Sequence, residues 1–178
     1  MMVELPRGTV TFLFTDVENS SALWERDGAT MMIALGRHVS LLRETVAAHG
    51  GVLFKTVGDG TQSAFPTAVA ALNAALAAQR LLLDEPWPEA LGPLRACMAI
   101  HAGEAEPRNG DYLAAPLNRL SRLLGMARGG QVLVSEAVEQ LAQDGLPKNA
   151  SLQELGEMRL RDIRRAERVF VLVHPDLP

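Results

Sequence analysis

Along the chain the spacing of apolar positions switches repeatedly between the strand and the helix period. "GTVTFLFTD" is β-branched and aromatic without helical spacing, which predicts a strand buried on both faces and ending near Asp16. Residues 29–48 carry apolar positions at helical intervals until "HGG" stops them. "GVLFKTV" and "TQSAFP" flank "GDG" and read as a β-hairpin with Asp59 in its turn. Residues 67–83, rich in Ala and Leu and capped by Thr67, predict a second long helix. "LRACMAIHAGEAE" alternates as a strand, and "NGDYL" is a turn before a helix that Pro116 opens and "RGG" ends, at about residue 127. "QVLVS" is a strand, Ser135 caps a short helix, and "RVFVLVH" is a closing strand. Strand, helix, hairpin, helix, strand is the order of an α+β, ferredoxin-like βαββαβ sheet, here with further strands and helices appended. Right-handed crossovers then make the first two strands parallel with the third between them, so Asp16 and Asp59 fall on one sheet edge.

Composition narrows the setting. The chain has 178 residues, 48% of them hydrophobic, enough to bury one substantial core as a single domain over 1–178, its core at about 8–174. No apolar run is long enough to span a bilayer and the N-terminus lacks a signal-peptide pattern, so a cytoplasmic protein with no membrane partner is expected. Cys97 is alone and reads as a small core residue. A net charge of −4 gives no broad polyanion-binding face, so no nucleic acid polymer is expected as a partner. Of 17 Lys and Arg residues only Lys55 and Lys148 are lysines, so a lysine inside a strand asks for a specific reason.

Two aspartates brought to one edge repel unless a positive group lies between them. Hard cations such as Mg²⁺ favour carboxylate oxygens and keep positions open for water and phosphate. Two of them about 4 Å apart can clamp a phosphoryl displacement. The backbone carbonyl of Val17 is a further candidate ligand, and the N–H groups of Asn19, Ser20 and Ser21 at a helix start are candidates for a triphosphate. Read singly, Asp16 is equally a helix cap and Asp59 a turn residue; the shared edge joins them. Lys55 read alone is equally an edge-strand lysine, and Asp111 a turn aspartate. Asn118 and Arg122, spaced i and i+4, share one helix face. His101 reads as a satisfied core or edge histidine. "GDG" followed by Thr61 lacks the spacing and lysine of a P-loop.

"TVTFLFTDVENSSALWE", "HGGVLFKTVGDGTQSAF", "GDYLAAPLNRLSRLL" and "GGQVLVSEAV" together resemble the ordered signature blocks of class III nucleotidyl cyclase catalytic domains, the adenylyl and guanylyl cyclases. The resemblance implies that Asp16, Asp59 and the Val17 carbonyl hold two divalent ions, Mg²⁺ or Mn²⁺. It implies that Lys55 and Asp111 read the purine, that Asn118 positions the ribose and that Arg122 stabilises the transition state. Arg161, in "RLRDI", matches a position where many relatives place a triphosphate-contacting lysine. It further implies a head-to-tail homodimer with the acidic pair of one subunit facing Lys55, Asp111, Asn118, Arg122 and Arg161 of the other, giving two interfacial sites.

The implied readers favour ATP. Lysine only donates and an ionised aspartate only accepts, which matches adenine's N1 acceptor and amino donor but mismatches guanine on the same edge. An unpaired buried reader costs about 1–3 kcal/mol. The implied reaction is in-line attack of the ATP 3′-hydroxyl on the α-phosphorus with loss of pyrophosphate. A guanylate cyclase and a silent nucleotide-binding or dimerisation module are the alternatives. Asn19 in place of a family glycine, Ala114 in place of another, and Leu120 in place of alanine depart from the pattern; Leu120 is expected to displace the helix that bears Arg122.

Overall fold

The computed structural model describes residues 3–159 and 165–178. The chain runs β1 (Gly8–Val17), α1 (Ser20–Arg26), α2 (Gly28–Ala48), β2 (Val52–Val57), β3 (Gly60–Phe65), α3 (Ala68–Asp84) and β4 (Ala96–Ala105). It continues through the two-residue strands β5 (Pro107–Arg108) and β6 (Asp111–Tyr112), α4 (Ala115–Leu124), β7 (Val132–Ser135), α5 (Glu136–Ala142), β8 (Ser151–Met158) and β9 (Glu167–Val173). Seven strands form one sheet in the order β2-β3-β1-β4-β7-β9-β8. Both β3 and β4 are antiparallel to β1, and β2 is antiparallel to β3, so β1 and β2 are parallel with β3 between them. This is the expected ferredoxin-like core with its appended strands.

Side-chain alternation divides the sheet into two faces. Leu13 and Phe65 point to one face, where they meet Leu42 and Val46 of α2, Leu72 and Leu76 of α3, and Val138 of α5. Val10, Phe12 and Phe14 point to the other, where Leu120 and Leu123 of α4 pack with Ala64, Ala99 and Tyr112. The long helices start where side-chain oxygens take up free amides: Asp27 accepts from Thr30 N at 3.1 Å and Thr67 from Ala70 N at 3.1 Å. The helix that Pro116 opens is shorter than expected. Beyond Leu124 the chain tightens into three-residue turns, with Met126 N to Leu123 O and Ala127 N to Leu124 O both at 3.0 Å. One strand escaped the sequence reading altogether. "SLQELGEM" forms β8 against β9, but it is largely exposed on both faces and its register shifts between Glu154 and Gly156, so no period-two signal survives.

Two imidazoles inside the fold set its acid sensitivity. His38 is fully buried and His101 nearly so. Burial pushes both down to about 4 from 6.5, and the Arg119 charge adds to the effect at His101. A base whose folded pKa is depressed binds fewer protons than the unfolded chain between those values, so its stability is fully present above about 6.5 and is lost as pH falls towards 4. Asp27 and Asp111, both lowered below the ordinary 3.8, give way only under that value and lie outside the window. From pH 7 to pH 5 the two histidines together remove about 4 kcal/mol, so the melting temperature is expected to fall by about 10 °C. Calorimetry across that range checks it, and His38→Met is expected to flatten the slope. A melting temperature constant from pH 7 to 5 refutes the assignment.

Candidate active site

The acidic edge is built by the end of β1 and the β2–β3 turn. Asp16 has the parity of Phe12 and Phe14 and leaves the sheet on the α4 face, while Val17 turns the other way into a cluster with Leu23 and Met31. The register Thr15↔Thr61, sealed by a 2.6 Å contact between the two hydroxyls, draws the turn containing Asp59 against the end of β1. The approach is close enough that a Cβ on Gly60 would stand 2.9 Å from the Thr15 carbonyl oxygen and 3.9 Å from Asp16 Oδ1. Burial raises the Asp16 pKa, the backbone N–H of Val17 donating to Oδ1 at 2.9 Å pulls it back, and the charge of Asp59 raises it again. Asp16 therefore stands within the field of Asp59, on the one edge that the topology gives them.

Both oxygens of Asp59 accept from the indole N–H of Trp24, at 3.1 and 3.3 Å. Sequence reasoning assigned Trp24 no role. The available signal was an indole in a short polar helix, since a half-buried indole N–H generally finds an acceptor.

A β-bulge aims the next group. Leu53 pairs with Ser63 but Lys55 pairs with Gln62, so Phe54 is the extra residue of β2. Without it Lys55 would fall on the α2–α3 face. With it, Phe54 packs edge-on to Phe12 and Tyr112, and Lys55 reaches across to Asp111, Nζ to Oδ2 at 2.9 Å. The bond from Lys55, followed by the Tyr112 amide at 2.7 Å, lowers the Asp111 pKa. Lys55 and Asn118 line a cavity of about 560 Å³, and Asp16 lines an adjoining one of about 190 Å³. Phe14, Gln62 and Ser121 border both, so the two groups of residues open onto one continuous surface. A neighbouring hollow of about 600 Å³ is bordered by Glu104, Glu106 and Arg108, a net negative set that does not favour a triphosphate.

Helix α4 presents Asn118 and Arg122 on its exposed side. Leu120, one of the departures from the family pattern, is fully buried and packs this helix against the sheet. Gly103 makes the seat possible, because a Cβ there would lie 2.4 Å from Pro116 Cγ. Asn19 adopts the left-handed conformation, φ 55 and ψ 34, which asparagine tolerates better than most residues. It opens α1, whose Ala22 and Leu23 amides donate to Asn19 O at 3.1 and 3.3 Å, with Ser20 and Ser21 ahead of them. His101 is satisfied as expected, with Nδ1 2.7 Å from Ser135 Oγ. Arg161 lies outside the described residues.

The donor chemistry fits a hard cation. Among the described residues no three of His, Cys, Asp and Glu gather into a cage. Asp16 and Asp59 alone suit an ion that keeps several ligand positions for water and phosphate, which is how Mg²⁺ binds and not how a structural Zn²⁺ does.

No model of a known protein family matches the chain. It is 36% identical over 157 residues, 75% of its length, to an adenylate cyclase of Mycosarcoma maydis. Its fold superposes on an adenylate cyclase of Trypanosoma brucei solved in the monomeric state, with TM-score 0.85, 25% identity and coverage of 94% of this chain and 90% of that one. It also superposes on an adenylate/guanylate cyclase/hydrolase from Silicibacter pomeroyi, with TM-score 0.79, 28% identity and coverage of 96% and 99%. The chain belongs to the class III nucleotidyl cyclase family. It spans 58% of the length of an uncharacterized Mycobacterium tuberculosis protein to which it is 37% identical over 174 residues, and 6% of the Mycosarcoma cyclase. No helix of this cyclase-family chain, among the described residues, is long and apolar enough to cross a membrane.

Proposed function

We propose that the chain forms an adenylate cyclase that converts ATP to 3′,5′-cyclic AMP and pyrophosphate at two sites shared across a homodimer. The observation that carries the reading is the Lys55–Asp111 pair, whose Lys55 lines the 560 Å³ cavity together with Asn118. A cation and an anion held 2.9 Å apart present one donor and one acceptor side by side, the complement of adenine's Watson–Crick edge. Guanine inverts that edge. Asn118 supplies an amide to the ribose, and Arg122, one helical turn on, supplies a charged fork to the phosphoryl oxygens. The Asn19, Ser20 and Ser21 amides and Arg161 are assigned to the triphosphate.

Asp16, Asp59 and the Val17 carbonyl are the ligands assigned to two divalent ions, Mg²⁺ or Mn²⁺. Bound there, such ions acidify the ribose 3′-hydroxyl and offset charge on the phosphates. The residues of the chain do the rest: they fix the base, orient the sugar for in-line attack on the α-phosphorus, and hold the departing pyrophosphate. Exposure supports the dimer. Lys55, Asp16, Asn118 and Arg122 all lie at the surface of one chain, where water weakens each charge and competes for each hydrogen bond; a second copy laid over this face would exclude that water.

Purified protein given ATP or GTP with Mg²⁺ or Mn²⁺ is expected to release cyclic AMP in excess of cyclic GMP, with specific activity rising with protein concentration. No cyclic nucleotide under any of these conditions leaves the silent-module reading. A predominance of cyclic GMP replaces adenylate by guanylate activity. Lys55→Glu removes the donor and leaves two acceptors facing adenine, so the ATP:GTP ratio of kcat/KM is expected to fall about thirtyfold, roughly 2 kcal/mol. An unchanged ratio takes Lys55 out of base recognition.

A further inference from the structure

We propose that the Trp24 indole is a positioning group for the Asp59 carboxylate and so sets the divalent-cation affinity of the acidic edge. This rests on the reading of that edge as a cation site. Asp59 stands in a two-residue turn, where a short side chain with two rotatable bonds has several staggered positions open to it. The indole N–H bridges its two oxygens at 3.1 and 3.3 Å, which fixes the plane of the carboxylate and the direction it faces. Ionised carboxylates offer about four acceptor directions, so the bridge leaves the others for an ion.

The choice of donor matters. An Arg or Lys in this place would cancel the charge that a cation needs, whereas a neutral donor orients the carboxylate and leaves its charge intact. His38, which also feels the charge of Asp59, does not neutralise it. It is fully buried and is held uncharged at neutral pH, and neither of its ring nitrogens has a hydrogen-bond partner. The indole in turn is held by packing against the cluster of Val17, Leu23, Met31, Leu91 and Leu94, not by charge. Trp24 is therefore the kind of outer partner whose removal weakens a metal site without removing a ligand.

The test is Mn²⁺ binding read by the electron paramagnetic resonance of free Mn²⁺, in the presence of 3′-deoxy-ATP, which lacks the attacking hydroxyl. Trp24→Phe, which keeps a ring and loses the N–H, is expected to weaken binding about tenfold or more while the melting temperature stays within a few degrees. Trp24→His, which restores a ring N–H, is expected to recover part of the affinity. Asp59→Asn is expected to weaken binding further than either. In a Trp87→Phe background the remaining Trp24 fluorescence should change and saturate at the same Mn²⁺ concentration. Wild-type affinity in Trp24→Phe with lost affinity in Asp59→Asn overturns the positioning role alone. Wild-type affinity in both overturns it together with the cation site, and equal losses in the Phe and His variants reduce Trp24 to packing and also overturn it.

Discussion

Asp16→Asn is expected to lower cyclic AMP formation about 10³-fold, roughly 4 kcal/mol, while leaving the melting temperature unchanged or slightly higher. The two outcomes share one cause. The Asp16 side chain opens onto the surface, yet partial desolvation and the field of Asp59 both raise its pKa, so the free protein holds this charge at some cost. The amide oxygen of asparagine keeps the acceptor that Val17 N now uses at 2.9 Å, so the local backbone has no reason to move. What disappears is the second negative charge, and with it the attraction for a divalent ion between the two strands. Loss of activity with retained stability is the pattern of a group kept for function. A variant within tenfold of the wild type removes Asp16 from the reaction, and a variant that is both inactive and much less stable makes it structural.

How far such a site can be read before any coordinates depends on which interactions place each residue. The meeting of Asp16 and Asp59 is topological. It needs only the order of elements and the handedness of crossovers, both carried by periodicity over many residues, and the register Thr15↔Thr61 delivers it. Lys55 is different. Strict alternation along β2 sends it to the wrong face, and the bulge at Phe54 corrects this with no glycine or proline to announce it. Its motif neighbours, not the spacing of apolar positions, are what suggest the role proposed for it. The effect of Leu120 depends on how full the surface facing it is, which no pattern along the chain states. Here Leu120 fills the space between α4 and the sheet. Trp24 could be suspected of seeking an acceptor, but its partner lay beyond reach, 35 residues away in a turn whose placement only the assembled sheet defines. The β8 strand lay beyond reach because an edge strand exposed on both faces has no apolar stripe to read.

Arg122→Ala is expected to reduce kcat by 10²–10³-fold, about 3–4 kcal/mol, with KM for ATP changed by less than about threefold. The asymmetry follows from where charge develops. Negative charge builds on the phosphoryl oxygens as the 3′-oxygen closes on phosphorus, so a guanidinium placed for that moment contributes little to the ground state. Arg122 is suited to it because α4 is held by Leu120 and Leu123 on its buried side, which makes the exposed side a rigid mount. A lysine keeps the charge but loses the planar fork, so Arg122→Lys is expected to fall between wild type and alanine. Equal losses in kcat and in nucleotide affinity would instead make Arg122 an ordinary binding group. The same variant tests the shared site. If Asp16 and Arg122 act from opposite subunits, an equal mixture of the inactive Asp16→Asn and Arg122→Ala chains forms hybrid dimers with one intact site, and activity should return to about one quarter of wild type at random exchange. If both residues act from the same chain, every site in the mixture carries a defect, and no activity returns.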